Sequence, residues 1–319
     1  MVDGMSRIIP PLGWRFKIAA AASAAGAAKV AHHLFTTHER LRVDSGSGLL
    51  TVSDYAGRRN LCLGASTQSI ARLDNAGNAT LVHAEEWTQL IVAVVDAWLC
   101  ARGDEFEKPR SALLLGVGGG VVARSLLALH AQDALTVHCV DSEPAVIDAA
   151  HEHFSLPDNE QCTSEVAEAS AFVASSDEAF DVVIIDCFAE DGLSPSVSEG
   201  RIFRGLERLP GEMLVVVNVT WSYPDDARSA PALRIAQQLQ GGAVALLEAE
   251  TERNAIVLWQ RGTTCAPRVD DWQGAIDKTR RRWDTMCPDV ATKVSLVAGR
   301  DALEHELRVR RPPRVLWRR

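Results

Sequence analysis

Three acids stand where apolar runs give out. Asp141 closes Leu135-Thr-Val-His-Cys-Val, Glu168 lies in the short strand and helix start of residues 165–173, and Asp186 closes Asp181-Val-Val-Ile-Ile. Acids at the carboxyl ends of parallel strands are placed to share one cleft, because open α/β sheets bind their ligands there. Ahead of them is Gly116-Val-Gly-Gly-Gly120, four glycines in five positions, following Leu113–Leu115 and preceding Val-Val-Ala-Arg-Ser-Leu-Leu-Ala-Leu at helical spacing. Strand, tight turn and helix are expected. A backbone without Cβ lets a ligand lie against the peptide groups, and the helix start offers free N–H donors. Asp141 falls twenty-one residues after Gly120, where an acid accepts hydrogen bonds from the two ribose hydroxyls of an adenosine-type ligand.

The turn separates two kinds of nucleotide binder. A dinucleotide fingerprint puts Gly or Ala three residues after Gly118, but Val121 stands there. The close run Gly118-Gly119-Gly120 suits an S-adenosylmethionine-type turn better.

The elements that must hold these residues alternate strand and helix. After Asp141 come Ser142, Glu143 and Pro144, a helix start, and the helix 145–154. The run into Asp186 is apolar except at its carboxyl end, as a strand covered on both faces requires. Cys187 to Ser196 reads as a polar loop above the cleft, positioned as a lid. A helix over 199–209, a strand over 213–218, a helix over 231–239 and strands over 243–247 and 254–259 follow. The last two strands have no long helix between them, which predicts an antiparallel edge. Upstream, Leu49–Tyr55 and Asn60–Gly64 alternate as a β-hairpin, a loop carries Gln68-Ser69 through Asp74, and Trp87, Leu90, Ile91, Val94, Val95, Trp98 and Leu99 mark a long amphipathic helix.

The expected fold is α/β, a doubly wound, mostly parallel seven-stranded sheet with a small N-terminal β-hairpin region. The expected divisions are a tail over 1–47, the small β region and its helix over 48–108, the Rossmann-like domain over 109–262, and a helical extension over 263–319 ending in an arginine-rich tail. Residues 1–45 hold an alanine-rich stretch flanked by basic residues, too short to span a bilayer. It reads as a surface helix or lead-in, with organellar targeting by residues 1–35 as the other reading. The last twelve residues contain six arginines, a surface for an acidic partner.

A formal net charge of −9 argues against an extended nucleic-acid surface. The seven cysteines are odd in number and nowhere form C-x-x-C, which points away from a zinc site or disulfide framework and toward the reducing cytoplasm. Cys139, inside the second strand, reads as a core residue. His151 and His153 sit near a helix end beside Glu152, a poor arrangement for a metal.

Over roughly residues 48–260 the chain resembles the spermidine synthase-like branch of the S-adenosylmethionine-dependent methyltransferase superfamily. The residues that carry the resemblance are Gln68-Ser69 after a hairpin, Leu115-Gly-Val-Gly-Gly-Gly-Val-Val-Ala-Arg124, Val140-Asp-Ser-Glu-Pro-Ala-Val146, Glu168-Ala169 and Val183-Ile-Ile-Asp186. The likeness implies a cofactor site of Gln68, Gly116, Gly118, Gly119, Gly120, Asp141, Ser142, Glu168, Ala169 and Asp186. Asp141 would take the ribose hydroxyls, Glu168 would stand near the adenine amino group, and Gly116 and Gly118 would lie under the methionine-derived part. It also implies a homodimer.

Two departures bear on the reaction. The polyamine aminopropyltransferases of this branch carry an Asp in the glycine turn, where this chain has Gly119, and a catalytic Asp three residues after the strand-end acid, where it has Ala189. The first helps hold the amine of a decarboxylated donor, and the second accepts a proton from a diamine before attack. The glycine-rich variant also resembles the methyltransferases of the superfamily. Three functions follow: methyl transfer from S-adenosylmethionine to a small-molecule or protein amine; aminopropyl transfer from its decarboxylated form; or a non-catalytic binding module. The candidate catalytic residues are Asp186, Glu190 and Asp191, with Asn218 a further one at the end of the next strand.

Overall fold

The computed structural model describes residues 36–101, 110–132, 134–189, 192–220, 235, 238–239, 242–248 and 254–262. Two sheets dominate. The first is an antiparallel meander, β1 (His38–Ser45), β2 (Gly48–Tyr55), β3 (Arg58–Leu63), β4 (Ser66–Leu73) and β5 (Ala79–His83), in that order. The second is mixed, with β6 (Ser111–Leu115), β7 (Thr136–Asp141), β8 (Cys162–Val166), β9 (Val182–Ile185), β12 (Met213–Thr220), β13 (Gly242–Glu248) and β14 (Asn254–Arg261) in the order β13-β14-β12-β9-β6-β7-β8. Strands β12, β9, β6, β7 and β8 are parallel, while β14 pairs antiparallel with both β12 and β13. The expected antiparallel edge is there.

Helices cover both faces of this second sheet: α1 (Glu86–Ala101), α2 (Val121–Leu129), α3 (Pro144–Phe154), α4 (Ala169–Ser175), the single turn α5 (Pro195–Ser198) and α6 (Arg201–Leu206). The apolar strands split residue by residue between two cores, because side chains alternate across a strand. Leu114, Ile184, Leu214, Val216 and Leu258 join α1, α2 and α3 on one face. Leu113, Leu115, Ile185, Val215, Val217 and Trp259 meet α4 and α6 on the other. Cys139 is fully buried in the first core, as its place in the strand implied.

The small N-terminal hairpin of the sequence reading is a five-stranded sheet, beginning at His38 rather than Gly48. The segment expected as a loop around Gln68-Ser69 is strand β4. Its alternation is hidden because the buried positions are Ser69 and Ala71, whereas Ile70 lies on the half-buried face. The same core holds Leu50, Val52, Leu61, Leu63, Ala71 and Ala79, so this sheet packs onto the second through α1, α2 and α3.

Two arginines fasten that packing. The Arg124 guanidinium, on α2, donates to the carbonyls of Ala79 (3.0 Å) and Thr80 (3.4 Å) on β5. Arg59, 7% exposed, pairs with Asp54 at 2.7 and 2.9 Å and donates to the carbonyl of His153 at the end of α3. His151 also serves structure, bonding the Leu156 carbonyl and Ser164. Among the described residues no helix is long and apolar enough to cross a membrane. The expected helix over 231–239 lies almost wholly outside the described residues, as do the N-terminal segment 1–35 and the arginine-rich tail.

Candidate functional site

A cleft of about 780 Å³ opens at the carboxyl ends of the parallel strands. It lies where β7 and β9 depart on opposite sides of β6, the position at which doubly wound sheets leave a crevice. One wall comes from the meander, through Ser47, Leu63, Ser66, Thr67 and Gln68. The Ser47 hydroxyl donates to the Glu143 carboxylate and so fastens the β1–β2 turn to the rim.

The floor is the glycine turn. Gly116 has φ +87°, and a Cβ there would collide with the Asp186 carbonyl, so the ends of β6 and β9 meet only because the residue is glycine. Gly118 lies under the Gln68 carbonyl, which a Cβ would approach to 3.3 Å. Gly119 and Gly120, expected to face the cofactor, are not among the residues that line the cleft. Their missing side chains leave room for packing: a Cβ on Gly119 would meet Phe154 at 2.7 Å and Ser69 at 2.9 Å, and one on Gly120 would meet Leu156 at 2.8 Å.

The other sequence-derived residues come together. Gln68, Gly116, Gly118, Asp141, Ser142, Glu168, Ala169 and Asp186 all line the cleft. Asp141 Oδ2 accepts from the Val117 amide at 2.8 Å and Oδ1 from the Glu143 amide at 3.0 Å. Burial pushes this carboxyl up, and the N–H groups of Glu143, Val117 and Gly118 hold it back. Each oxygen has a lone pair left for a ligand hydroxyl. Glu168 caps α4, accepting from the Ala171 amide at 2.9 Å and the Ser170 hydroxyl at 2.5 Å. Its carboxyl is held below the usual range: burial raises it, and the hydrogen bonds from Ser170, Ala171 and Ser196 outweigh that. Gln68 Nε2 is buried without a hydrogen-bond partner among the described residues, a donor left for a ligand.

Asp186 differs. Burial raises it to about 7, against the lowering effect of Asn218 and with a further push from the charge of Asp141. Asn218 Nδ2 donates to Asp186 Oδ1 at 2.8 Å, and Asn254 Nδ2 donates to Asn218 Oδ1 at 2.8 Å. Both asparagines are buried, 2% and 9% exposed, and both line the cleft. Strand ends do not predict Asn254 as a site residue: β14 runs antiparallel, so its start meets the cleft, opposite Thr220. The expected antiparallel edge gives the direction of β14 but not its register, so it brings the start of that strand to the cleft without singling out Asn254. Glu190 and Asp191 lie outside the described residues. Of the expected lid, Phe188–Ala189 and Gly192–Leu193 form a short hairpin, β10 and β11, and Ala189 faces the cleft.

The described lining contains five carboxylates, Glu85, Asp141, Glu143, Glu168 and Asp186, against one cation, Arg201, whose Nε lies 3.1 Å from Glu199. Such a cleft favours a positively charged guest. A glycine floor, an oriented strand-end carboxylate with free lone pairs and an orphaned amide donor fit an adenosyl ligand.

No protein-family model and no curated protein matches the chain at the level of sequence. Solved structures do. A probable spermidine synthase from Corynebacterium glutamicum superposes with a TM-score of 0.60 at 16% identity, over 75% of this chain and 86% of that one. The spermidine synthase of Thermotoga maritima gives 0.52 at 16% identity, over 73% and 75%. Human methyltransferase-like protein 13, in complex with S-adenosylhomocysteine, gives 0.46 at 16% identity, over 61% and 88%. The chain thus has the α/β fold seen in the spermidine synthase structures.

Proposed function

We propose that the protein is a transferase that binds S-adenosylmethionine in this cleft and methylates an amine. Asp141 holds the ribose hydroxyls, Glu168 and Ala169 border the adenine, Gly116, Gly118 and Ser142 underlie the adenosyl group, and Gln68 donates to the methionine portion. When bound, the sulfonium supplies an electrophilic methyl carbon, whose C–S bond breaks with its electron pair going to sulfur as the acceptor nitrogen bonds to carbon. The chain's part is alignment, which can remove about 7 to 11 kcal/mol from the barrier of such a displacement. Asp186, held by Asn218 and titrating near neutrality, receives the proton that the nitrogen sheds. The acidic lining supports a cationic donor and an amine acceptor.

The observation that carries methyl over aminopropyl transfer is at Gly119. The aminopropyltransferase carboxylate is absent there, and its room is occupied by Phe154 and Ser69. The acidic lining would also suit a diamine, which keeps aminopropyl transfer as the second reading, with Glu190 and Asp191 as its substitute acids. Calorimetry with S-adenosylmethionine, its decarboxylated form and methylthioadenosine tests the proposal. Preference for the carboxylated donor is expected; preference for the decarboxylated one would establish the second reading, and binding of none would leave a non-catalytic module of the same fold.

A further inference from the structure

The two buried asparagines form a chain with one direction. An asparagine side chain has one carbonyl and one NH2 group. Asn254 donates into the carbonyl of Asn218, which leaves the Asn218 NH2 for Asp186. Turned the other way, Asn218 would present its carbonyl to the carboxyl group and stabilise only the protonated acid. The first hydrogen bond therefore decides the second. Asn254 opens β14 opposite Thr220, while Asn218 lies on β12 opposite Ile256, so the ladder between these two strands fixes the separation of the two amides.

We propose that Asn254 is a positioning residue, which locks the Asn218 amide so that an N–H, and not a carbonyl, faces Asp186 and keeps that acid a hydrogen-bond acceptor at the acceptor end of the cleft. The surroundings leave this task to the amides. Among the described residues, Asp141, at the end of β7, is the charged group that bears on Asp186, and it opposes ionisation. Cys187 is the chain neighbour, and the end of β6 brings main chain and Gly116. Burial also opposes the charged form, so the Asn218 N–H is what favours the carboxylate. For the proposed transfer reaction, an Asp186 locked in this way accepts the acceptor's proton; that clause rests on the transferase reading, whereas the locking itself does not.

The test follows the Asp186 carboxyl carbon by NMR through a pH titration, its resonance assigned by its loss in Asp186→Asn. Asn254→Asp keeps the shape but reverses the polarity, because a carboxylate accepts from Asn218 and turns its carbonyl toward Asp186. The Asp186 midpoint is expected to rise by about one pH unit or more in Asn254→Asp, and by less in Asn254→Ala. Asn254→Ser, which retains a donor, should stay nearer the parent. Unchanged midpoints in Asn254→Asp and Asn254→Ala would overturn the proposal. If Asn254→Ala does not fold, the uncharged and near-isosteric Asn254→Leu takes its place, because the new charge of Asn254→Asp would raise the midpoint even with the Asn218 amide unturned. In turnover assays the acidic limb of the kcat profile should move upward with the midpoint while KM for the donor stays fixed. An absence of turnover with every acceptor would count against the transferase reading and leave the NMR result to judge the amide lock.

Discussion

Asp141 and Asp186 end the two strands that flank β6, and they face one cleft, yet they are held in opposite ways. Main-chain N–H groups of the glycine turn and of the α3 entry ring Asp141, so its position is built into the backbone. Asp186, itself half-buried, receives its hydrogen bond from a buried side-chain amide that is held by another. N–H donors favour the charged carboxylate and burial disfavours it; burial raises both acids, with three main-chain N–H groups set against it at Asp141, and carries Asp186, opposed by a single side-chain amide, up to about 7. One acid is suited to bind and the other to exchange a proton.

Introducing the aminopropyltransferase carboxylate is the harshest way to break the donor end. Gly119→Asp forces a charged side chain against Phe154 and Ser69. Overpacking and desolvation together predict a loss of about 5 kcal/mol, read as a melting temperature lower by about 10 °C or more. A variant that melts like the parent and gains affinity for the decarboxylated donor would revive the polyamine reading.

At the acceptor end the discriminating variable is pH. The folded value of Asp186, about 7, lies above an unfolded value of about 3.9. Between those limits the folded protein keeps a proton that the unfolded chain has released. Stability from this group is therefore full below about pH 4 and falls as pH rises toward 7. Relative to Asp186→Asn, the parent should lose about 3 kcal/mol between pH 4.5 and 8, as measured by denaturant titration at each pH. Parallel stability curves would show that Asp186 titrates like an ordinary surface acid and would erase the contrast with Asp141.

A smaller effect is expected at Asn218. Asn218→Leu removes the N–H to Asp186 and strands the Asn254 amide, at a cost of about 1 to 3 kcal/mol that grows above neutral pH as the carboxylate loses its donor. Constant destabilisation from pH 5 to 8 would mean that Asn218 only fills space.

The donor end was the more legible in the sequence, for the same reason that it is backbone-built. A glycine turn leaves a mark in residue types, and Asp141 keeps a fixed distance from it, so Gly116, Gly118 and Asp141 could be placed from spacing. Gly119 and Gly120 carry the same letter but serve packing against Phe154 and Leu156, a distinction made by residues over thirty positions away. The acceptor end depends on which strand lies beside which. Asn254 reaches Asn218 only through the antiparallel register of β12 and β14, which no local pattern encodes. The first sheet was half visible for a related reason: β2 and β3 alternate openly, whereas β4 buries Ser69 and Ala71, too small and too polar to mark a core face.

The carboxylate at the end of β7 is the central contact of the proposed ligand site, and calorimetric titration of S-adenosylmethionine into the parent and Asp141→Ala tests it most directly, with circular dichroism to confirm that the variant is folded. Loss of two hydrogen bonds to a charged acceptor predicts an affinity lower by about two to three orders of magnitude. Equal affinity in the two proteins would contradict the account, since the ribose would then be held somewhere else.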